Sequence, residues 1–409
     1  MKLFIDNGGL RFESADHAKS PPGGVQRPRN PVRSVSTAEA SAISAGIVGE
    51  SALRVWGLSP QQRIGRQLAR IGVPLGAAAP GGGQVLLLRA DWVYDDVLLR
   101  GLAEAEGDLA LLGDDGAPVA LRLAASAADE GRALLAERRA PDSIPTVTAA
   151  TLGSAYNDVL RKREAPYLLP LNAGNHAAVE KRIFGGAYKG VTDLVTLYLW
   201  PRPARAVTHW CARLGISPNQ VTSLSLLLVL LAMYGFWTGH YVLGLLAAWP
   251  MTFLDTVDGK LARVTVRSSP FGNVFDHSID LIHPPFWWWA WLVGLPAAGF
   301  SLPQASLVLG VIVAGYVLQR LEEGLFITWI GMEMHVWERF DSRFRLITAR
   351  RNPNLLLLTA SVLFGRPDLG ILAVAVWTVL CLIVHALRLI QALLAKRRGP
   401  LRSWLASAP

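Results

Sequence analysis

Residues 255–280, DTVDGKLARVTVRSSPFGNVFDHSID, set four aspartates in or beside strongly apolar sequence. Asp255 and Asp258 close one hydrophobic run, and Asp276 and Asp280 open the next. A charged carboxylate at membrane depth costs about 2.5–3.5 kcal/mol on insertion scales, so four together call for a compensating partner, of which a cation is the simplest. Asp255, Asp258, Gly259, Ala262 and Arg263 are spaced to share one face of a helix, and Asp276 and Asp280 share a face through their i, i+4 spacing. Two helices thus each present a carboxylate pair. Oxygen-only donors with no cysteine and only peripheral histidines suit Mg2+ or Mn2+ rather than zinc. Two such ions about 3.5–4 Å apart clamp the attacking and leaving oxygens of a phosphoryl displacement. Gly259, Ala262 and Gly272 allow a ligand close to the backbone, and Arg263 is a partner for phosphate. The bland alternatives are helix caps, a solvated acidic face or an ion pathway through a bundle.

Asp255, Asp258, Gly259, Ala262, Arg263, Gly272, Asp276 and Asp280 match, at every spacing, the D-x2-D-G-x2-A-R-x8-G-x3-D-x3-D motif. The stretch therefore resembles the CDP-alcohol phosphotransferase (phosphatidyltransferase) family. The resemblance implies a mostly α, six-transmembrane-helix enzyme in which an acceptor hydroxyl attacks the β-phosphate of a CDP-linked donor and CMP leaves. It makes Asp255, Asp258 and Asp276 ligands of two Mg2+ or Mn2+ ions. Asp280 is then the general base and an additional metal contact, and Gly259, Ala262, Arg263 and Gly272 line the cytidine diphosphate site. A homodimer is implied by the family alone.

The remainder of the 409 residues is bimodal, with an Ala, Gly, Arg and Asp rich first half and long hydrophobic runs in the second. A net charge of +9 raises nucleic acid as a partner, but the basic residues flank apolar segments, so an anionic lipid surface is expected and nucleic acid is not. Cys211 and Cys381 have no metal-ligand spacing and are expected in the core. Residues 1–45 contain no apolar stretch of signal-peptide type; MKLFID reads as a short strand and Lys19–Ser36 as a flexible linker.

Residues 46–165 alternate as a soluble α/β domain. SPQQRIGRQLARIGV reads as a helix capped by Ser59 with Gly72 past its end, and QVLLLRAD as a buried strand ending at Asp91. VYDDVLLRGLAEAEG and SAADEGRALLAERR read as helices, and DLALLGDDGAPVALRL as a hairpin turning at Asp115-Gly116. VLLLRADWVYDDVLLRGL is similar to the middle of sugar-phosphate nucleotidyltransferase domains, and relatives of archaeal type fuse a cytidylyltransferase of this kind to the phosphotransferase. The Gly-rich loop with Arg and Lys that the resemblance requires is missing around SALRVWGLSPQQR. The expectation is a degenerate domain, with Asp91 a turn residue rather than a metal ligand.

Residues 166–218 mix aromatic and basic residues and read as interfacial linker and juxtamembrane helices. ISPNQVT offers two readings: Asn219 and Thr222 stand near the nucleotide, as the family's Pro-Asn-x-x-Thr element implies, or Ser217 and Pro218 merely open a helix.

Within 219–395, hydrophobic runs near 221–238, 241–260, 279–299, 302–327, 354–366 and 369–394 read as six spans. Loop charge puts both termini, the basic 396–409 tail and the aspartates on the cytoplasmic side of the inner membrane. Trp287, Trp288, Trp289 and Trp291 read as interfacial or lipid-facing anchors, and His283 as bonded within the bundle. Arg320, Glu322 and Glu323 either bind the acceptor or pair with one another. Arg350 and Arg351 either hold an acceptor phosphate or anchor the loop to lipid. The expected donor is CDP-diacylglycerol and the acceptor an alcohol or alcohol phosphate. Two alternatives are a bifunctional cytidylyltransferase/CDP-polyol phosphotransferase and a divalent-cation transporter.

Overall fold

Strand Gln84–Arg89 shows no polar alternation, because both of its faces are covered in the computed structural model, which describes residues 2–6, 9–13, 43–76, 83–139, 143–158 and 160–407. The chain divides into two units, Ser14–Asn157 with Glu164–Gly186, and Met1–Glu13 with Asp158–Arg163 and Ala187–Pro409. The reading of Lys19–Ser36 as a linker lies outside the described residues.

In the first unit the strands that pair with one another are β1 (Ile43–Val48), β2 (Gln84–Arg89), β3 (Trp92–Tyr94), β4 (Leu109–Leu112), β5 (Pro118–Ala124), β6 (Thr146–Val147) and β7 (Leu168–Pro170). A mixed five-stranded sheet runs β1-β2-β5-β4-β6. β1 lies parallel to β2 with Ile43 opposite Gln84, and β5 is antiparallel to β2 with Leu121 opposite Leu87. Leu86 and Leu88 pack with Leu98, Leu99 and Leu102 of α2 (Asp96–Glu104), while Val85 and Leu87 pack with Leu134 and Leu135 of α3 (Ala128–Glu137). Burial on both faces is what makes β2 a continuous apolar run. Ser59 and Gln62 form a capping box at the head of α1 (Pro60–Arg70), with Gly72 at φ +74° beyond its end. Val93 and Tyr94, expected in the second helix, lie instead in β3. Asp95 caps α2 by accepting from the Val97 amide at 3.2 Å, so the helix starts after it. β7 pairs with β3, which places residues expected as linker inside this unit. MKLFID forms the strand Lys2–Asp6, paired antiparallel with Gly9–Glu13 in the second unit.

The second unit is mostly helical: α5 (Pro201–Arg213), α6 (Pro218–Trp237), α7 (Tyr241–Val264), α8 (Pro270–Gly294), α9 (Ala305–Ile330), α10 (Arg339–Phe344), α11 (Arg351–Leu363) and α12 (Pro367–Lys396) follow α4 (His176–Gly186), which belongs to the first unit. Each of the six hydrophobic runs falls mainly within one of these helices. Among the described residues three, α6, α9 and α12, are long and apolar enough to cross a membrane. The same acidic and basic residues that make the site lower the hydropathy of α7 and α8, and α11 has 13 residues. The chain is a multi-pass membrane protein.

The tryptophan cluster corrects the expectation of lipid anchoring. Trp287, Trp288 and Trp291 are buried, and Trp289 alone of the four is exposed. The Trp287 indole donates to the Val229 carbonyl and that of Trp291 to Pro367, each at 3.0 Å, so the polar edges are satisfied inside the bundle. Cys211 and Cys381 are buried and free, as expected.

Candidate active site

Asp255 and Asp258 project from α7 one turn apart, and Asp276 and Asp280 from the first half of α8. Ser269 caps α8 by accepting from the Gly272 amide at 3.0 Å, with Pro270 at the first turn. Asp255, Asp276 and Asp280 each bring a carboxylate oxygen within 4.8 Å of the others. Asp258 lies deeper, 3% exposed. One of its oxygens accepts from the Thr222 hydroxyl at 2.6 Å, and the other, Oδ1, is buried with no partner among the described residues. Asp280 is the most open of the motif aspartates, its side chain 42% exposed against 17% for Asp255 and 31% for Asp276.

The donor set is oxygen only and acidic, and it contains an orphaned buried carboxylate oxygen; both features fit a hard divalent cation. A second cluster, Glu323, His335 and His385, also brings three possible ligand atoms within 4.8 Å. There Glu323 already pairs with Arg350 and, at 3.2 Å, with Arg320, so its charge is compensated without a metal. Burial keeps His335 neutral, its pKa pushed down to about 3, with Nε2 3.3 Å from Glu323. This outcome answers one of the open alternatives, since Arg320 and Glu323 pair with one another.

The remaining motif positions gather around the aspartates. A Cβ on Gly272 would stand 2.7 Å from Asn219 Oδ1, which brings Asn219 against the start of α8, and one on Gly259 would stand 3.1 Å from the Arg263 guanidinium. Arg263 donates through Nε to the Ala187 carbonyl at 2.9 Å. Ala262 lies half-buried on the same helix. Ser217 and Gln220 form the capping box that opens α6, so Pro218 is an N-terminal proline, while Thr222, one turn on, reaches Asp258. His283 bonds within α8, its Nδ1 2.6 Å from the Ile279 carbonyl.

Two features escape a reading of the sequence. Pro284 and Pro285 lack the amides that would bond the Asp280 and Leu281 carbonyls, and the Tyr316 hydroxyl donates to Leu281 at 3.0 Å instead. The HPPF sequence just beyond Asp280 carries that signal. Arg351 does not anchor the loop to lipid: it forks between Asp255 and Asp280, 96 and 71 positions away in sequence. Its neighbours are tied as firmly, Arg350 to Glu323 and Asn352 Nδ2 to Asp193 at 2.9 Å. Arg345, the Thr196 amide and hydroxyl and Asn352 hold the Asp193 carboxyl below its ordinary range despite burial, which acts the other way.

In the first unit, Asp91 is gripped at both oxygens by Arg89, at 2.9 and 2.5 Å, and lies 3.6 Å from Arg138. Trp56, at φ +52° in the loop after β1, is buried; its amide donates to Glu180 Oε1 at 2.7 Å and its ring stacks on Phe184.

Residues 215–334 match the family described as CDP-alcohol phosphatidyltransferase. Over 181 residues, 43% of this chain and 84% of the relative, the sequence is 28% identical to archaetidylinositol phosphate synthase of Pyrococcus horikoshii. It is 30% identical over 162 residues to a bifunctional IPC transferase and DIPP synthase of Rubrobacter xylanophilus, covering 39% of this chain and 34% of that protein. It is 31% identical over 139 residues to cholinephosphotransferase 1 of Xenopus laevis, covering 30% of this chain and 33% of that protein. The match thus spans most of the first of these relatives and about a third of the other two.

Proposed function

We propose, from the match of residues 215–334 to the CDP-alcohol phosphatidyltransferase family, that the chain is a CDP-alcohol phosphotransferase and moves a phosphatidyl group from CDP-diacylglycerol to an alcohol or alcohol phosphate. The observation that carries the reading is the meeting of Asp255, Asp276 and Asp280 within 4.8 Å, beside a buried Asp258 oxygen with no side-chain partner among the described residues. Asp255, Asp258, Asp276 and Asp280 would hold two divalent ions, Mg2+ or Mn2+. When bound, these neutralise the donor's diphosphate and the charge on departing CMP. Gly259, Ala262, Arg263 and Gly272, with Asn219 and Thr222, form the wall for cytidine diphosphate, the glycines letting Asn219 and the Arg263 guanidinium pack close to the two helices. Asp280, the most open carboxylate, takes the proton of the acceptor hydroxyl. The acceptor oxygen bonds to the β-phosphorus, the bond from that phosphorus to the bridging oxygen breaks, and the pair leaves with CMP. Positioning and charge stabilisation suffice, with no covalent enzyme intermediate.

The proposed setting is the inner membrane with six spans, both termini and the aspartates cytoplasmic, and the enzyme a homodimer. A second reading, in which the first unit makes the CDP donor from CTP, is favoured by the bifunctional name of one relative. Against it stand Asp91, whose oxygens are gripped by arginine, and the loop after β1, which is filled by Trp56. We favour a first unit that scaffolds or docks a partner.

The test is CMP release by the purified protein from CDP-diacylglycerol with inositol phosphate or glycerol phosphate as acceptor. Release that requires Mg2+ or Mn2+ supports the reading. Ion flux in sealed vesicles without CMP release makes the protein a transporter, and pyrophosphate formed from CTP and an alcohol phosphate restores the bifunctional reading.

A further inference from the structure

If the aspartates are a divalent-ion site, the reading on which this inference rests, the chain supplies a competing cation of its own. The terminal nitrogens of Arg351 contact one oxygen of Asp255 and one of Asp280, and Nη1 lies 3.4 Å from the other Asp255 oxygen. These are two of the three carboxylates whose oxygens converge. The guanidinium therefore bridges α7 and α8 through two of the carboxylates that would hold a metal ion. Its Nε is buried with no partner among the described residues, so the terminal fork alone holds it there. The aim of the side chain is fixed from both flanks, by Arg350 on Glu323 and Asn352 on Asp193. Neither of those carboxylates belongs to the quartet, so the head of α11 stays anchored whichever way Arg351 turns.

We propose that Arg351 is a resident counter-ion that latches Asp255 to Asp280 in the metal-free protein and must be displaced when a divalent ion binds. A permanently charged guanidinium and a divalent ion repel at a few ångströms, which opposes their simultaneous contact with these carboxylates. The latch holds the acidic cluster together before loading, and it occupies one Asp280 oxygen until the guanidinium is displaced. Coupling of this kind is reciprocal, so what Arg351 contributes to the metal-free state it subtracts from metal affinity.

The experiment uses the full chain in detergent, with Mn2+ binding followed by electron paramagnetic resonance and unfolding followed with and without EDTA. Arg351→Gln is expected to bind Mn2+ more tightly, on the order of tenfold as coupled sites commonly show. It is also expected to unfold at lower temperature in EDTA, with the difference shrinking at saturating Mn2+. Arg351→Lys, which keeps the charge but cannot fork, should fall between. Mn2+ affinity that is unchanged or weaker in Arg351→Gln overturns the latch. Should that variant fail to fold, the wild type decides: phenylglyoxal should label Arg351 faster with Mn2+ than in EDTA, and an equal or slower rate overturns the proposal. Wild-type protein that binds no Mn2+ sensitive to Asp276→Asn removes the metal reading itself, an outcome distinct from a bound metal indifferent to Arg351.

Discussion

Thr222 donates its hydroxyl proton to Asp258 across 2.6 Å, and the loss of that one bond would leave a buried carboxylate without its side-chain donor among the described residues. Thr222→Val is expected to cost about 1–3 kcal/mol of stability and to weaken metal-dependent turnover roughly 10–100-fold, the usual penalty for losing a group that orients a ligand. Thermal unfolding and CMP release measure the two effects. Asp280→Asn should abolish turnover while donor binding persists, and full activity in that variant removes its role as base. Lys189 gives a pH dependence. Burial, then the neighbouring Arg161 and Arg263, push its pKa down to about 8 from an ordinary 10.5. The folded state therefore binds fewer protons than the unfolded chain between those values. This group's penalty is present in full below about pH 8 and is relieved as pH rises towards 10.5. Unfolding temperature should rise from pH 8 to pH 10 in the wild type relative to Lys189→Met, and parallel profiles would contradict the assignment. The four aspartates stood out because carboxylates inside apolar sequence are costly unless compensated, whereas the glycine, alanine and arginine positions were picked out by the motif they resemble. Arg351 was not: its partners lie far away in sequence, and no local pattern distinguishes an internal ion pair from a lipid anchor.

Helix contacts in the second unit rest on backbones brought together by glycine. A Cβ on Gly294 of α8 would stand 2.0 Å from the Phe236 carbonyl of α6, and one on Gly235 would stand 2.6 Å from the Gly244 amide of α7. Gly294→Ala must push α8 away from α6 and, with it, Asp276 and Asp280 away from their partners. The expected result is a loss of both stability and Mn2+ affinity, whereas an unaffected Mn2+ titration would mean the site tolerates the displacement. Trp291, with no exposed surface and its indole bonded to Pro367, is the largest such contact on α8. Trp291→Ala should cost about 3–5 kcal/mol, where a lipid-facing anchor would cost far less. The sequence marked all six hydrophobic runs as helices because their composition and length are local properties. It misassigned the tryptophans because three neighbouring positions cover most of a helix circumference, and only the packing of other helices decides which side is inside.

For the whole molecule, the net charge of +9 is distributed unevenly between interior and surface. Lys260, Arg350 and Arg351 lie among internal partners, whereas Arg267, Arg339, Arg343, Lys396, Arg397, Arg398 and Arg402 are exposed. These exposed residues lie in the loops expected to be cytoplasmic, with Arg366 the exposed exception beside Pro367. Both native cysteines are buried, so single cysteines placed near Gly239 and near Lys396 should label from opposite faces of sealed vesicles, and labelling from the same face would contradict the six-span arrangement. The α/β unit was legible in its strand and helix signals, yet its extent was not, because β7 joins β3 across more than seventy residues of intervening chain. The central claim, that carboxylates from α7 and α8 share two divalent ions, is tested most directly by Mn2+ paramagnetic resonance of the purified protein. Two bound ions with a spin-coupled signal that disappears in Asp276→Asn are the predicted result, and magnetically isolated ions unaffected by that substitution, or no binding, would contradict it.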